Sequence, residues 1–153
     1  MPTLIELKSL DSCATLCREL ELDFIELNMN LPEYQVDTLD VVELRRIATQ
    51  FDIFYTIHLD ENLNPCDFNN KVAAAYTDTV LRTIEIAKLL GVPILNMHMN
   101  RGVWFTLPDN KVFLFNKYRD VYLQKLSDFR EKCTAAIGDA DIKITVENCG
   151  DYV

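Results

Sequence analysis

The stretch Pro93-Ile94-Leu95-Asn96-Met97-His98 is a short apolar run that closes on a histidine. Long amphipathic stretches lie on both sides of it. Before it, Lys71 to Leu90 has helical spacing and stops at Gly91, a residue that ends helices well. After it, Phe115, Tyr118, Tyr122, Leu126, Phe129, Cys133 and Ala136 step by three and four, and Gly138-Asp139 closes the pattern. A run of six residues between two such helices reads as a strand buried on at least one face.

The same alternation extends in both directions. Towards the N-terminus, the spacing predicts a helix from Lys8 to Glu21 with Leu10, Ala14, Cys17 and Leu20 on one face. A strand over Asp23 to Asn28 follows, then a helix from about Asp37 with Val41, Leu44, Ala48 and Phe51 aligned, then a strand over Asp52 to Leu59. Thr3 to Leu7 reads as a short first strand. Residues 60–70 and 99–110 read as loops, with Pro65, Gly102 and Pro108 as their breakers. Towards the C-terminus, Ile142 to Glu147 is the last strand, with Ile142, Ile144 and Val146 on one face and Lys143, Thr145 and Glu147 on the other. Strands alternating with long helices imply a parallel sheet joined by right-handed crossovers. No Gly-rich strand-to-helix fingerprint is present, so a dinucleotide site has no support.

Two architectures fit this order, an open doubly wound sheet and part of an eight-stranded barrel. The strand ends separate them. Ile25-Glu26-Leu27-Asn28, Ile57-His58-Leu59-Asp60, Met97-His98-Met99-Asn100 and Val146-Glu147-Asn148-Cys149 each bring a metal-capable side chain to the end of an apolar run. Glu26, His58, His98 and Glu147 are 32, 40 and 49 residues apart, each a plausible βα unit. Equivalent ends of adjacent parallel strands converge on one mouth, where α/β barrels carry their chemistry. The two histidines of the chain are both there. The expected fold is therefore α/β: a partial (β/α)8 barrel of about strands 1–5, a parallel sheet of four or five strands in chain order, with helices on the outer face only.

Composition bounds the rest. The 153 residues suit one domain, with 49% hydrophobic and 25% charged side chains, as in globular proteins. Fifteen basic and 24 acidic residues leave a net charge of −9, which opposes nonspecific binding to nucleic acid or to an anionic membrane. Arg45-Arg46 is the one basic pair. No apolar run approaches the roughly 18 residues of a membrane span, and the N-terminus lacks the charge and apolar pattern of a signal peptide. Five irregularly spaced cysteines fit reduced thiols and a cytoplasmic protein. Cys13, Cys17 and Cys133 fall on apolar stripes and read as core, as do Met29, Met97 and Met99, whereas Cys149 is two residues past Glu147 and near the mouth.

A carboxylate at the end of Ile144-Thr145-Val146 needs a cation, a basic partner or solvent. With two neutral imidazoles it forms a donor set that suits zinc or manganese. Glu147, His58 and His98 are thus the candidate metal ligands. Glu26 is placed to orient a ligand or meet substrate hydroxyls, and the Val103-Trp104-Phe105 cluster to wall a pocket or cover the rim.

At these residues the chain resembles the xylose-isomerase-like TIM-barrel superfamily, which holds sugar and sugar-phosphate isomerases and epimerases and the endonuclease-four-type apurinic endonucleases. Phe24-Ile25-Glu26-Leu27 looks like its second strand, His58 and His98 like the histidines that end the third and fourth, and Glu147-Asn148 with Gly150 like its metal-binding Glu-Asn motif. The resemblance covers about residues 24–150. It implies a divalent metal (Mn, Zn, Mg or Co) in the complete barrel, a small sugar or sugar phosphate as substrate, Glu147 as a catalytic residue, and Glu26, His58, His98 and Trp104 in contact with substrate. Such barrels need about 250 residues. The chain is therefore expected to be the N-terminal part of one, inactive alone and paired with another copy through its open strand edges. An endonuclease-like phosphodiesterase or a non-catalytic truncated barrel are the alternatives. The loop Asn28-Met29-Asn30-Leu31-Pro32-Glu33-Tyr34-Gln35, without Lys or Arg, favours the sugar enzyme over a DNA-binding one.

Overall fold

Side-chain caps set where the helices begin. In the computed structural model, which describes residues 1–147, Ser9 accepts from the Ser12 amide at the start of α1 (Leu10–Glu19). Asp40 accepts from the Val42 and Glu43 amides at the start of α2 (Val41–Phe51). Asn69 does the same for α3 (Asn70–Leu90), which ends on left-handed Gly91. Between these helices run β1 (Phe24–Asn28), β2 (Phe54–His58) and β3 (Ile94–His98). After β3 come a hairpin of β4 (Trp104–Thr106) and β5 (Lys111–Phe113), then α4 (Leu114–Lys117), α5 (Arg119–Ile137) and β6 (Lys143–Glu147).

The main sheet is parallel, in the order β1-β2-β3-β6, with no reversal. Ile25, Leu27, Tyr55, Ile57, Leu95 and Met97 turn to one side and are buried with Ala14 and Cys17 of α1, Ile47 of α2, Ile84 of α3 and Cys133 of α5. Apolar residues that alternate along a strand bury one face only, so the helices lie on that face. Tyr55 adds a hydrogen bond from its hydroxyl to the Leu44 carbonyl at 3.1 Å, tying the sheet to α2. The other face carries Glu26, Thr56, His58, Asn96, His98, Thr145 and Glu147. This is the wall of a partial barrel.

Several expectations are corrected. The first strand is not Thr3 to Leu7. Pro2 makes the single bridge to Glu26, with Thr3 N–H donating to the Glu26 carbonyl at 2.8 Å, and the chain turns away immediately after. Leu20 is exposed; the buried face of α1 is Cys13, Ala14 and Cys17, because the helix stops at Glu19. The stretch 99–110 is not a plain loop. Val103 to Thr106 is rich in β-formers and pairs with Lys111 to Phe113 across a turn closed by Leu107 N–H on the Asn110 carbonyl, 2.8 Å. The helix that follows is broken at Tyr118, whose ring packs edge-on to Phe68 at 5.8 Å. Cys13, Cys17, Cys66 and Cys133 are free and buried, as are Met29 and Met97; Cys149, Asn148 and Gly150 lie outside the described residues. No described helix is long and apolar enough to cross a membrane.

Gly102 fixes the hairpin. Its φ is +70°, and a Cβ there would stand 2.8–2.9 Å from the Phe115 ring. Gly102→Ala is therefore expected to cost about 1–3 kcal/mol, from left-handed backbone and clash together. Gly91→Ala has the same φ problem and open space, so it should cost about 1 kcal/mol. Urea denaturation of the two variants measures the difference; equal losses would remove the Phe115 contact as a cause.

Candidate metal centre

The inward face of the sheet is built in steps of two residues. Ladder pairing sets Glu26 beside Thr56, then Asn28 beside His58, then His58 beside Asn96 and Asn96 beside Thr145. One step further towards the strand ends, His98 is paired with Glu147. Glu147 is thus level with His98, while His58 sits one inward-facing step lower, and not at the same level as expected. The stagger arises because strands in a barrel wall tilt and shift in register as they go round.

The imidazole of His58 bridges that step. Its Nε2 is 3.5 Å from Glu147 Oε1, and His98 Nε2 is 2.9 Å from Glu147 Oε2. The two rings meet edge-on with centroids 5.0 Å apart. One ligand atom from each of His58, His98 and Glu147 lies within 4.8 Å of the others. His58 is buried, at 9% exposure, and its Nδ1 is 2.8 Å from the Leu59 carbonyl. A carbonyl only accepts, so the Nδ1 nitrogen carries the proton and, in a neutral ring, Nε2 presents a lone pair. That nitrogen faces a carboxylate oxygen at 3.5 Å, and a proton on the ring or a cation between the two supplies the positive charge the pair needs. A divalent cation held by two imidazoles and one carboxylate supplies it, and the donor set fits zinc or its neighbours.

Two further residues hold this arrangement. Asn96 Nδ2 donates to Glu147 Oε1, and Thr145 Oγ1 donates to Asn96 Oδ1 at 3.0 Å. Partial desolvation pushes the Glu147 carboxyl upwards, but the Asn96 hydrogen bond, the positive charge that His98 and His58 carry when protonated and the His98 hydrogen bond outweigh it and hold the carboxyl below its usual range. Neither Asn96 nor Thr145 stood out in the sequence. The available signal was the period-two alternation, which puts both on the same face as His98 and Glu147.

The structure does not bring the other two candidates into this group. Glu26 lies lower on the wall, beside Thr56. Trp104 is on the hairpin, 46% exposed, with Phe113 as its ring neighbour at 6.0 Å.

No protein-family profile matches the sequence, and neither does any curated protein. Solved structures do match it. A D-tagatose 3-epimerase-like protein superposes with a TM-score of 0.73 at 18% identity, over 95% of this chain and 51% of its own. The 3-keto-D-glucoside 4-epimerase of E. coli gives 0.76 at 12% identity, over 95% and 54%. A xylose isomerase domain protein of Salmonella typhimurium gives 0.59 at 15% identity, over 89% and 44%. The chain has part of the xylose-isomerase-like TIM-barrel fold. It spans about half the length of the structures that it matches. In this fold the mouth at the strand ends is the place for chemistry, and the His58, His98 and Glu147 cluster stands there.

Proposed function

We propose that this chain is the N-terminal part of a divalent-metal-dependent sugar or sugar-phosphate isomerase or epimerase. The observation that carries the reading is the geometry at the strand ends: one ligand atom from each of His58, His98 and Glu147 lies within 4.8 Å of the others, with His58 Nδ1 tied to the Leu59 carbonyl and Nε2 facing Glu147. The named activities of the matched structures, sugar epimerases among them, support the substrate class. His58, His98 and Glu147 would hold the ion. When bound, it polarises neighbouring sugar oxygens and so acidifies the adjacent C–H. Glu147 is the carboxylate of this part of the mouth that moves a proton at that carbon. Glu26, lower on the same face, meets substrate hydroxyls, and Trp104 offers an apolar wall beside the rim.

Calorimetric titration with zinc, cobalt(II) and manganese tests the centre. One ion per chain is the expected result, and no saturable binding of any of them would end the proposal. A second titration of the ion-loaded chain with ketohexoses and with abasic-site DNA separates the two chemistries. Heat from a sugar supports the isomerase. Heat from DNA alone turns the reading to a phosphodiesterase.

A further inference from the structure

Asn96 sits between a ligand and an anchor. Its ladder partner on one side is His58 and on the other Thr145. The amide has one self-consistent orientation. Ionised Glu147 can only accept, so the atom facing its Oε1 is the donor Nδ2. Oδ1 is then left facing Thr145, whose hydroxyl must donate across 3.0 Å. The other acceptor within reach of that hydroxyl, the Leu95 carbonyl, is at 3.5 Å, the outer limit of a hydrogen bond. The sheet itself sets Asn96 and Thr145 side by side, which keeps the anchor within reach of the amide.

This restrains the rotation of the carboxylate through one of its two oxygens. Oε1 is engaged by Asn96 and looks to His58, while Oε2 looks to His98 at 2.9 Å. A carboxylate free to rotate can turn both oxygens to a single cation. One clamped through Oε1 is restrained from doing so. We propose that Asn96, pinned by Thr145, is a positioning residue that presents Glu147 as a one-oxygen ligand. The cluster then offers a cation three donors, which suits a small four-coordinate ion such as zinc or cobalt(II) and disfavours magnesium, an ion that wants six oxygen ligands. The inference rests on the metal reading above and adds to it the residue that sets the coordination.

Cobalt(II) is the probe, because its visible absorption is intense when four-coordinate and weak when six-coordinate. The full chain is compared with Asn96→Leu, which keeps the branched shape and loses the donor, and with Thr145→Val and Thr145→Ser. The unaltered chain should show the intense band, and excess magnesium should leave it in place. Asn96→Leu should bind cobalt about 10–100-fold more weakly, the usual cost of losing an outer-shell partner, with the band weakened. Thr145→Val should move in the same direction by less, and Thr145→Ser, which keeps the hydroxyl, should match the unaltered chain. Thr145 is exposed, so this pair decides the matter even where Asn96→Leu is poorly folded. Unchanged affinity and spectrum in Thr145→Val and in folded Asn96→Leu would overturn the role of Asn96 and leave the cluster standing. No cobalt band in the unaltered chain would overturn the metal reading, and this inference with it.

Discussion

Glu147→Gln is expected to lower the affinity of the chain for zinc or cobalt(II) by at least about 100-fold, beyond the range seen when only an outer-shell partner is lost. Glu147 is the one anion of the three-donor cluster, and both of its oxygens are engaged: Oε1 by Asn96 and, at 3.5 Å, His58; Oε2 by His98 at 2.9 Å. Glutamine keeps the shape and removes the charge. It also replaces one acceptor by a donor that cannot serve as a metal ligand. The side chain is 44% exposed, so the fold should survive with its melting temperature little changed. On the proposed function, the same change in a complete barrel would also remove the carboxylate that moves the proton, a contribution of about 100-fold or more in rate. Elemental analysis after dialysis against zinc, together with the melting curve, is the measurement. Equal zinc content in the two proteins would remove Glu147 from the ligand set and most of the case for a metal centre.

The second large effect is on stability. Ile57 has no exposed surface and lies in β2, which is flanked on both sides, with Leu27 and Leu95 as its ladder partners. Ile57→Ala removes three carbon atoms from a site walled by two other fully buried side chains. The sheet cannot close on the space without breaking ladders on both sides, so a cavity remains. Such truncations cost about 2–5 kcal/mol, out of a total of about 5–15 for a domain. Urea unfolding followed by circular dichroism should show the midpoint falling accordingly. Ile5→Ala is the control: Ile5 is 83% exposed, and its loss should stay within about 0.5 kcal/mol. Similar midpoints for the two variants would mean that the outer face of the sheet is not the principal core.

Much of this could be read from the residues in order. Side chains on a strand alternate with period two whatever the strand packs against. That is why the order of residues alone puts Glu147 on the inward face with Lys143 and Thr145, opposite Ile142, Ile144 and Val146. Helix caps are equally local: Gly91 ends α3 through its own φ of +67°. The parallel order follows from helices long enough to cross over between strands. Other features depend on residues distant in sequence. The step between His58 and His98 is a ladder register between strands that begin 40 residues apart, and register is chosen by how the apolar face packs and by the tilt of the wall. The hairpin at Trp104 was hidden because its strands have three residues each, too few to display a period. The role of Asn96 was beyond sequence reading for the same reason as the step. An asparagine on a strand has no chemistry of its own to announce it, and only the pairing that sets Thr145 on one side and His58 on the other turns its amide towards Glu147. Local periodicity determined which face each side chain takes; tertiary packing decided which side chains on that face come within reach of one another.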